Sequence, residues 1–282
     1  MGGDVVVLSA ICIAGLATGV SFIVRWGHLS TRVDDPERPS LPRAPDVLRT
    51  YLRTCAIGVS AGAIAGILIG GLGGRLAMRI LAATSGDDVQ GAITDAEERV
   101  GDITVGGTVG FVIFVGIFGG IVGGVVFVAL RRWLPQRAWM AGLAIGLLLL
   151  FFARLDPLDP ESIDLEILTP DLLAVALFLT LFPLYGMTMA SLVSRFERSY
   201  PELSRRPRAI AAYLPLAPTL LVPPVALALV AGAIVDVFAK APAFARVWRD
   251  RGVDLVGRAV LVLAGAASVI WVGAGVGDIL SA

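Results

Sequence analysis

Two arginines, Arg75 and Arg79, stand four residues apart in an apolar stretch that also holds Leu76, Met78, Ile80 and Leu81. In a helix that spacing puts both on one face. Two adjacent guanidinium groups bind phosphate or carboxylate through paired N–H donors, so the chemistry expected here is an anion or lipid-headgroup clamp. A charge in hydrocarbon costs about 2.5 to 3.5 kcal/mol on insertion scales. Without an anionic ligand, these side chains must reach the outer interface and meet Asp87, Asp95, Glu97 or Asp102. Asp254 and Arg258 repeat the four-residue spacing at the start of the last apolar segment, where an intrahelical ion pair is expected. The sharper alternative is a proton or ion relay from Asp254 to Asp236, at the end of the preceding segment.

Most other carboxylates fall in two loops: Asp87, Asp88, Asp95, Glu97, Glu98 and Asp102, then Asp156, Asp159, Glu161, Asp164 and Glu166. Paired carboxylates can hold a divalent cation or act as acid and base on a lipid-linked sugar. The EF-hand order is missing, and solvated acidic loops are expected. His28 is the only histidine, which excludes bis-histidine haem, zinc-protease chemistry and a Ser-His nucleophile. Lys240, the only lysine, precedes the last apolar segment, which excludes a retinal Schiff base there. There is no P-loop, and Cys12 and Cys55 sit in apolar segments without a CxxC. The sequence therefore predicts no catalytic residue, no cofactor and no metal site, and a net charge of +0 implies no nucleic-acid partner.

The elements that must position these residues are apolar. The hydrophobic fraction is 56%, the charged fraction 16% and the mean hydropathy +0.83, outside the range of soluble domains. Gly58, Gly62, Gly66, Gly70 and Gly74 recur at every fourth position of one segment, and Gly116, Gly120 and Gly124 answer them in the next, preceded by Gly106 and Gly110. Glycine costs a helix about 1 kcal/mol relative to alanine. Such stripes belong where two helix backbones approach closely in a membrane. The expected fold class is all-α, a polytopic transmembrane bundle with a glycine-zipper helix pair, forming one domain over residues 1–282.

About twenty apolar residues cross a bilayer, which gives seven candidate spans: Val5 to Val24, Cys55 to Gly74, Val105 to Leu130, Ala138 to Ala153, Leu172 to Ser194, Ala209 to Val237 and Val253 to Gly277. Residues 25–54 read as a cytoplasmic linker rich in proline and arginine. The loops after the first, third and fifth spans carry fourteen arginines, against two in the acidic loops between them. The positive-inside rule then puts the amino terminus outside and, after seven crossings, the carboxyl terminus inside. Lys240, Arg246, Arg249 and Arg251 fall on the wrong side of this scheme. They fit an amphipathic interfacial helix, or a re-entrant hairpin over Ala209–Phe238 that leaves the carboxyl terminus outside; one kinked crossing is the expectation. Pro183, followed by Tyr185, Gly186, Met187 and Thr188, predicts a second kink with a polar lining.

The stretches Gly73–Arg79, Gly101–Thr108 and Arg131-Arg132-Trp133-Leu134-Pro135 resemble uncharacterised multi-pass membrane proteins of high-GC bacteria. The resemblance implies a bacterial plasma membrane and no activity. The function expected is that of a structural or accessory membrane subunit, not an enzyme, whose partners are the lipid bilayer and another membrane protein or a second copy. A small-solute or ion transporter or channel is the alternative, and a lipid-modifying enzyme the second alternative.

Overall fold

The computed structural model describes residues 44–84, 104–152, 171–201, 207–239 and 250–281, with residue 203 and positions 10, 13, 14 and 17–21. The regular structure among them is helical, without a strand. Helix α1 covers Pro45–Thr84 and α2 Val105–Leu130. They are followed by α3 (Ala138–Phe152), α4 (Asp171–Ser199), α5 (Pro207–Ala212), a 3₁₀ segment (Leu214–Leu221), α6 (Pro223–Ala239) and α7 (Arg251–Ser281). Among the described residues, three helices are long and apolar enough to cross a membrane: α1, α2 and the Arg251–Ile270 part of α7. They become four if the bent pair Leu214–Leu221 and Pro223–Ala239 counts as one. These are features of a membrane protein. Most of the expected first span and both acidic loops lie outside the described residues.

α1 begins inside the stretch read as a linker. Proline fits the first turn of a helix, where its missing N–H has no partner to lose, and Asp46 there favours the positive helix end and pairs with Arg49 at 3.7 Å. At forty residues α1 is on the order of 60 Å long, twice the hydrocarbon thickness, so its ends project beyond it.

α1 and α2 are antiparallel and lie backbone against backbone. A Cβ added at Gly62 would stand 2.3 Å from the Gly120 carbonyl oxygen, and one at Gly66 2.0 Å from that of Gly116. From the other side, a Cβ at Gly124 would meet the Gly58 oxygen at 2.4 Å. No side chain larger than hydrogen fits these positions. The contact continues to Gly71, where an added Cβ would stand 3.2 Å from the Val112 α-carbon, and Gly74 faces the Phe111 ring, whereas Gly106 and Gly110 meet nothing within 4 Å. Both helices are π-helical along this part of the contact, over Gly66–Gly73 and Val112–Gly119.

A second seam joins α3 to α4. A Cβ at Gly186 would stand 2.1 Å from the Gly142 oxygen, and one at Gly146 2.5 Å from that of Phe182. Pro183 cannot donate to the turn before it, and Gly146 lets the chain pack against this break. Ile57, Ala61 and Ile69 of α1, Phe127 of α2, Ile145 of α3 and Met189 and Val193 of α4 fill the common core.

The sixth apolar segment is sharply bent, in the manner of a broken crossing or a re-entrant hairpin. Leu214–Leu221 and Pro223–Ala239 meet at an angle of 120°. Two adjacent prolines, Pro223 and Pro224, start the second limb, and the residue before a proline is driven out of the helical region; Val222 sits at φ −113°, ψ 93°. The chain enters beside Tyr200 and Tyr213, packs Val225 against Val59 and Val125, then returns so that the Tyr51 hydroxyl donates to the Leu229 carbonyl at 2.8 Å. Both limbs thus face the end of the bundle where α1 begins. α7 then runs parallel to α3: Gly257 lies against Trp133, and Ser268 donates to the Leu147 carbonyl at 2.9 Å. Seven alternating crossings would make α3 and α7 antiparallel.

Candidate functional site: the two charged ends of the bundle

The end at which α1 and α3 begin gathers arginines from α1 and from the α2–α3 loop. Arg53 of α1 donates to the Glu197 carbonyl at 2.8 Å and to the Tyr200 carbonyl at 3.2 Å, so that a cation closes the carboxyl-terminal turn of α4. The Glu197 side chain is buried and bonded to Arg131. Burial raises the Glu197 carboxyl above its ordinary range, with Arg131 and Arg53 pulling it down in part. The Tyr200 hydroxyl lies 3.1 Å from that of Ser60 and donates to the Ala212 carbonyl, tying the start of the hairpin to α1.

One loop residue further, Arg132 donates through Nε and Nη2 to Asp254 Oδ1 at 2.8 Å. The expected pair of Asp254 with Arg258 does not form. Arg132 reaches across from the α2–α3 loop and takes the carboxylate through two donors, and Arg258 is exposed. Asp236 neighbours Tyr51 and Cys55 at the end of α6. The two aspartates of the expected relay therefore belong to different neighbourhoods: one neighbours α1, the other is bound by the α2–α3 loop.

The opposite end is built differently. Arg75 lies with its guanidinium carbon 5.8 Å from the centre of the Phe111 ring. Its Nη2 donates to Thr108 Oγ1 at 3.3 Å and its Nη1 reaches Met78 Sδ at 4.0 Å. Arg75 Nε is buried and has no acceptor among the described residues, and no carboxylate among them pairs with Arg75. Arg79, one turn on, is half-buried. Asp87, Asp95, Glu97 and Asp102, the expected partners, lie outside the described residues.

The lining expected around Pro183 is instead a packing junction. Thr188 and Met189 are fully buried, Thr188 donates to the Gly19 carbonyl at 3.3 Å, and Gly186 is pressed against Gly142. The Tyr185 hydroxyl donates to the Gly120 carbonyl at 2.9 Å, through the gap left by Gly123. Sequence reading missed this second seam, although Gly142 and Gly146 carry the same four-residue spacing as the first. It also missed Glu197 and Tyr200, whose partners are over sixty residues away in the chain. Compared with known proteins, the chain matches no family model, no curated protein and no solved structure.

Proposed function

We propose that this chain is a structural or accessory subunit of a bacterial plasma membrane, with α1 to α4 as a rigid core and α7 as the helix offered to a partner. One observation carries the reading. In the apolar window of α1, 67% is buried inside the protein, against 6% in that of α7. α7 is held by Asp254, Gly257 and Ser268, which leaves Leu255, Val262, Leu263 and Ile270 exposed. Mild-detergent purification of the tagged chain from its native membrane tests it. A stoichiometric membrane protein that is lost when α7 is deleted supports the reading; a clean monomer overturns it.

The arginine-rich end is cytoplasmic on this reading, which agrees with the positive-inside rule. Residues 207–239 then form a re-entrant hairpin from the cytoplasmic side, and residue 282 lies outside, in place of the carboxyl terminus inside that seven crossings require. Labelling of an Ala282→Cys variant by an impermeant thiol reagent in intact cells supports this. Labelling only after the membrane is opened refutes it.

The hairpin also favours a second reading, a small-solute or ion transporter or channel. Non-helical backbone at membrane depth is tolerated where it is buried in protein or lines a water-filled path. Solute flux in proteoliposomes that is lost on Arg79→Ala would support that reading over the first.

A further inference from the structure

We propose that Arg75 and Arg79, with Thr108, form a binding site for a phosphate-type anion at the end of the bundle remote from Arg53 and Arg131. The comparison within the molecule is direct. Arg131 has Glu197 and Arg132 has Asp254, each at ion-pair distance, whereas among the described residues Arg75 is offered a hydroxyl, a thioether and the face of a ring.

Its placement adds to the imbalance. Thr108 belongs to the first turn of α2, whose amino-terminal end Thr104 caps by accepting the Gly107 N–H at 3.0 Å. That end carries the positive pole of the helix, so the Arg75 cation is held against a partial charge of its own sign. A buried guanidinium N–H without an acceptor is costly, because it has lost its water and gained no partner. An anion with several oxygens removes both costs: it accepts from Arg75 Nε, is attracted by the pole of α2, and leaves further oxygens for Arg79 on the same helix face. The shared chemistry is a phosphate group, whether on a lipid headgroup or free in solution. The site does not depend on the accessory-subunit reading.

The experiment uses the full chain purified in neutral detergent and in nanodiscs. Thermal unfolding is followed against inorganic phosphate in detergent, and in nanodiscs of phosphatidylcholine with and without phosphatidylglycerol. Stabilisation by inorganic phosphate assigns a free anion. Stabilisation by phosphatidylglycerol alone assigns a lipid headgroup. Either response should weaken by about tenfold or more in apparent affinity in Arg75→Gln, equivalent to one lost charged contact. Arg79→Gln, at a half-buried position, provides a milder second variant should Arg75→Gln misfold, and should weaken the same response. No stabilisation in either arm, the result expected if a carboxylate of residues 85–103 already holds Arg75, overturns the proposal. So does a response unchanged in both variants.

Discussion

The α1–α2 pair and the α7 flank are both apolar helix surfaces, yet they are assembled on opposite principles. At Gly62 and Gly66 of α1 no side chain stands in the contact, so carbonyl oxygens of one helix approach the α-carbons of the other. α7 rests on the bundle through an ion pair, an indole against Gly257, one hydroxyl and the partly buried Leu261, and a Cβ at its Gly265 would meet nothing within 4 Å. Lipid tails are as apolar as leucine, so apolarity alone does not bring membrane helices together. Fit does, and α1 has it where α7 does not. Apolar composition thus marks a segment for the membrane, whereas the spacing of small residues says whether it belongs to the core.

The strongest way to break this comparison is to add the same side chain to both regions. Gly66→Leu must push α1 and α2 apart, because no rotamer moves its Cβ away from the Gly116 carbonyl. A loss of about 3 kcal/mol or more is expected, at or beyond the upper range for overpacked cores. Gly265→Leu, into open space, should change stability by less than about 0.5 kcal/mol. Thermal melts in one detergent compare the two, and equal melting temperatures would refute the close-packed pair.

The charged end of the core should come next. Removing the buried carboxylate with Glu197→Ala leaves Arg131 without its partner, and uncompensated buried charges cost about 3 kcal/mol. On the flank, Asp254→Asn breaks a pair that is partly open to water, which limits the loss to about 1 kcal/mol. Its signature should be local. Amide exchange should speed up in Arg251–Ile270 and not at Gly58–Gly66; equal acceleration in both would mean that α7 is as integral as α1.

Helical class, membrane character and the importance of the α1 glycines were legible in the sequence because each is written in local periodicity. Gly58 to Gly66 could be read without knowing their partners. What was not legible was pairing across distance. Asp254 has an arginine four residues away and chooses one 122 residues away. The bend at Val222 depends on whether Val225 and Leu229 find α1, and hydropathy reads the same for a crossing and a hairpin. Arg75 and Arg79 stood out as costly charges, while Thr108 and Phe111, which shape their surroundings, are unremarkable residues until α2 is laid beside α1.

The smallest effect concerns pH and separates burial from pairing at Glu197. Burial raises the carboxyl in the folded protein above its ordinary value, and Arg131 and Arg53 offset this only in part. The folded state then holds the proton more tightly than the unfolded chain does. This contribution to stability is complete below the unfolded carboxyl value, about 4.3, and is lost as pH rises through the folded value. Glu197→Gln keeps an acceptor for Arg131 but cannot ionise, so wild-type stability minus variant stability should decline as pH rises from the unfolded carboxyl value through the raised folded one. A difference that grows over that range would mean that Arg131 and Arg53 outweigh burial. The charged end of the core would then be fastened, like α7, by ion pairing, and the contrast between the two regions would rest on the glycine seam alone.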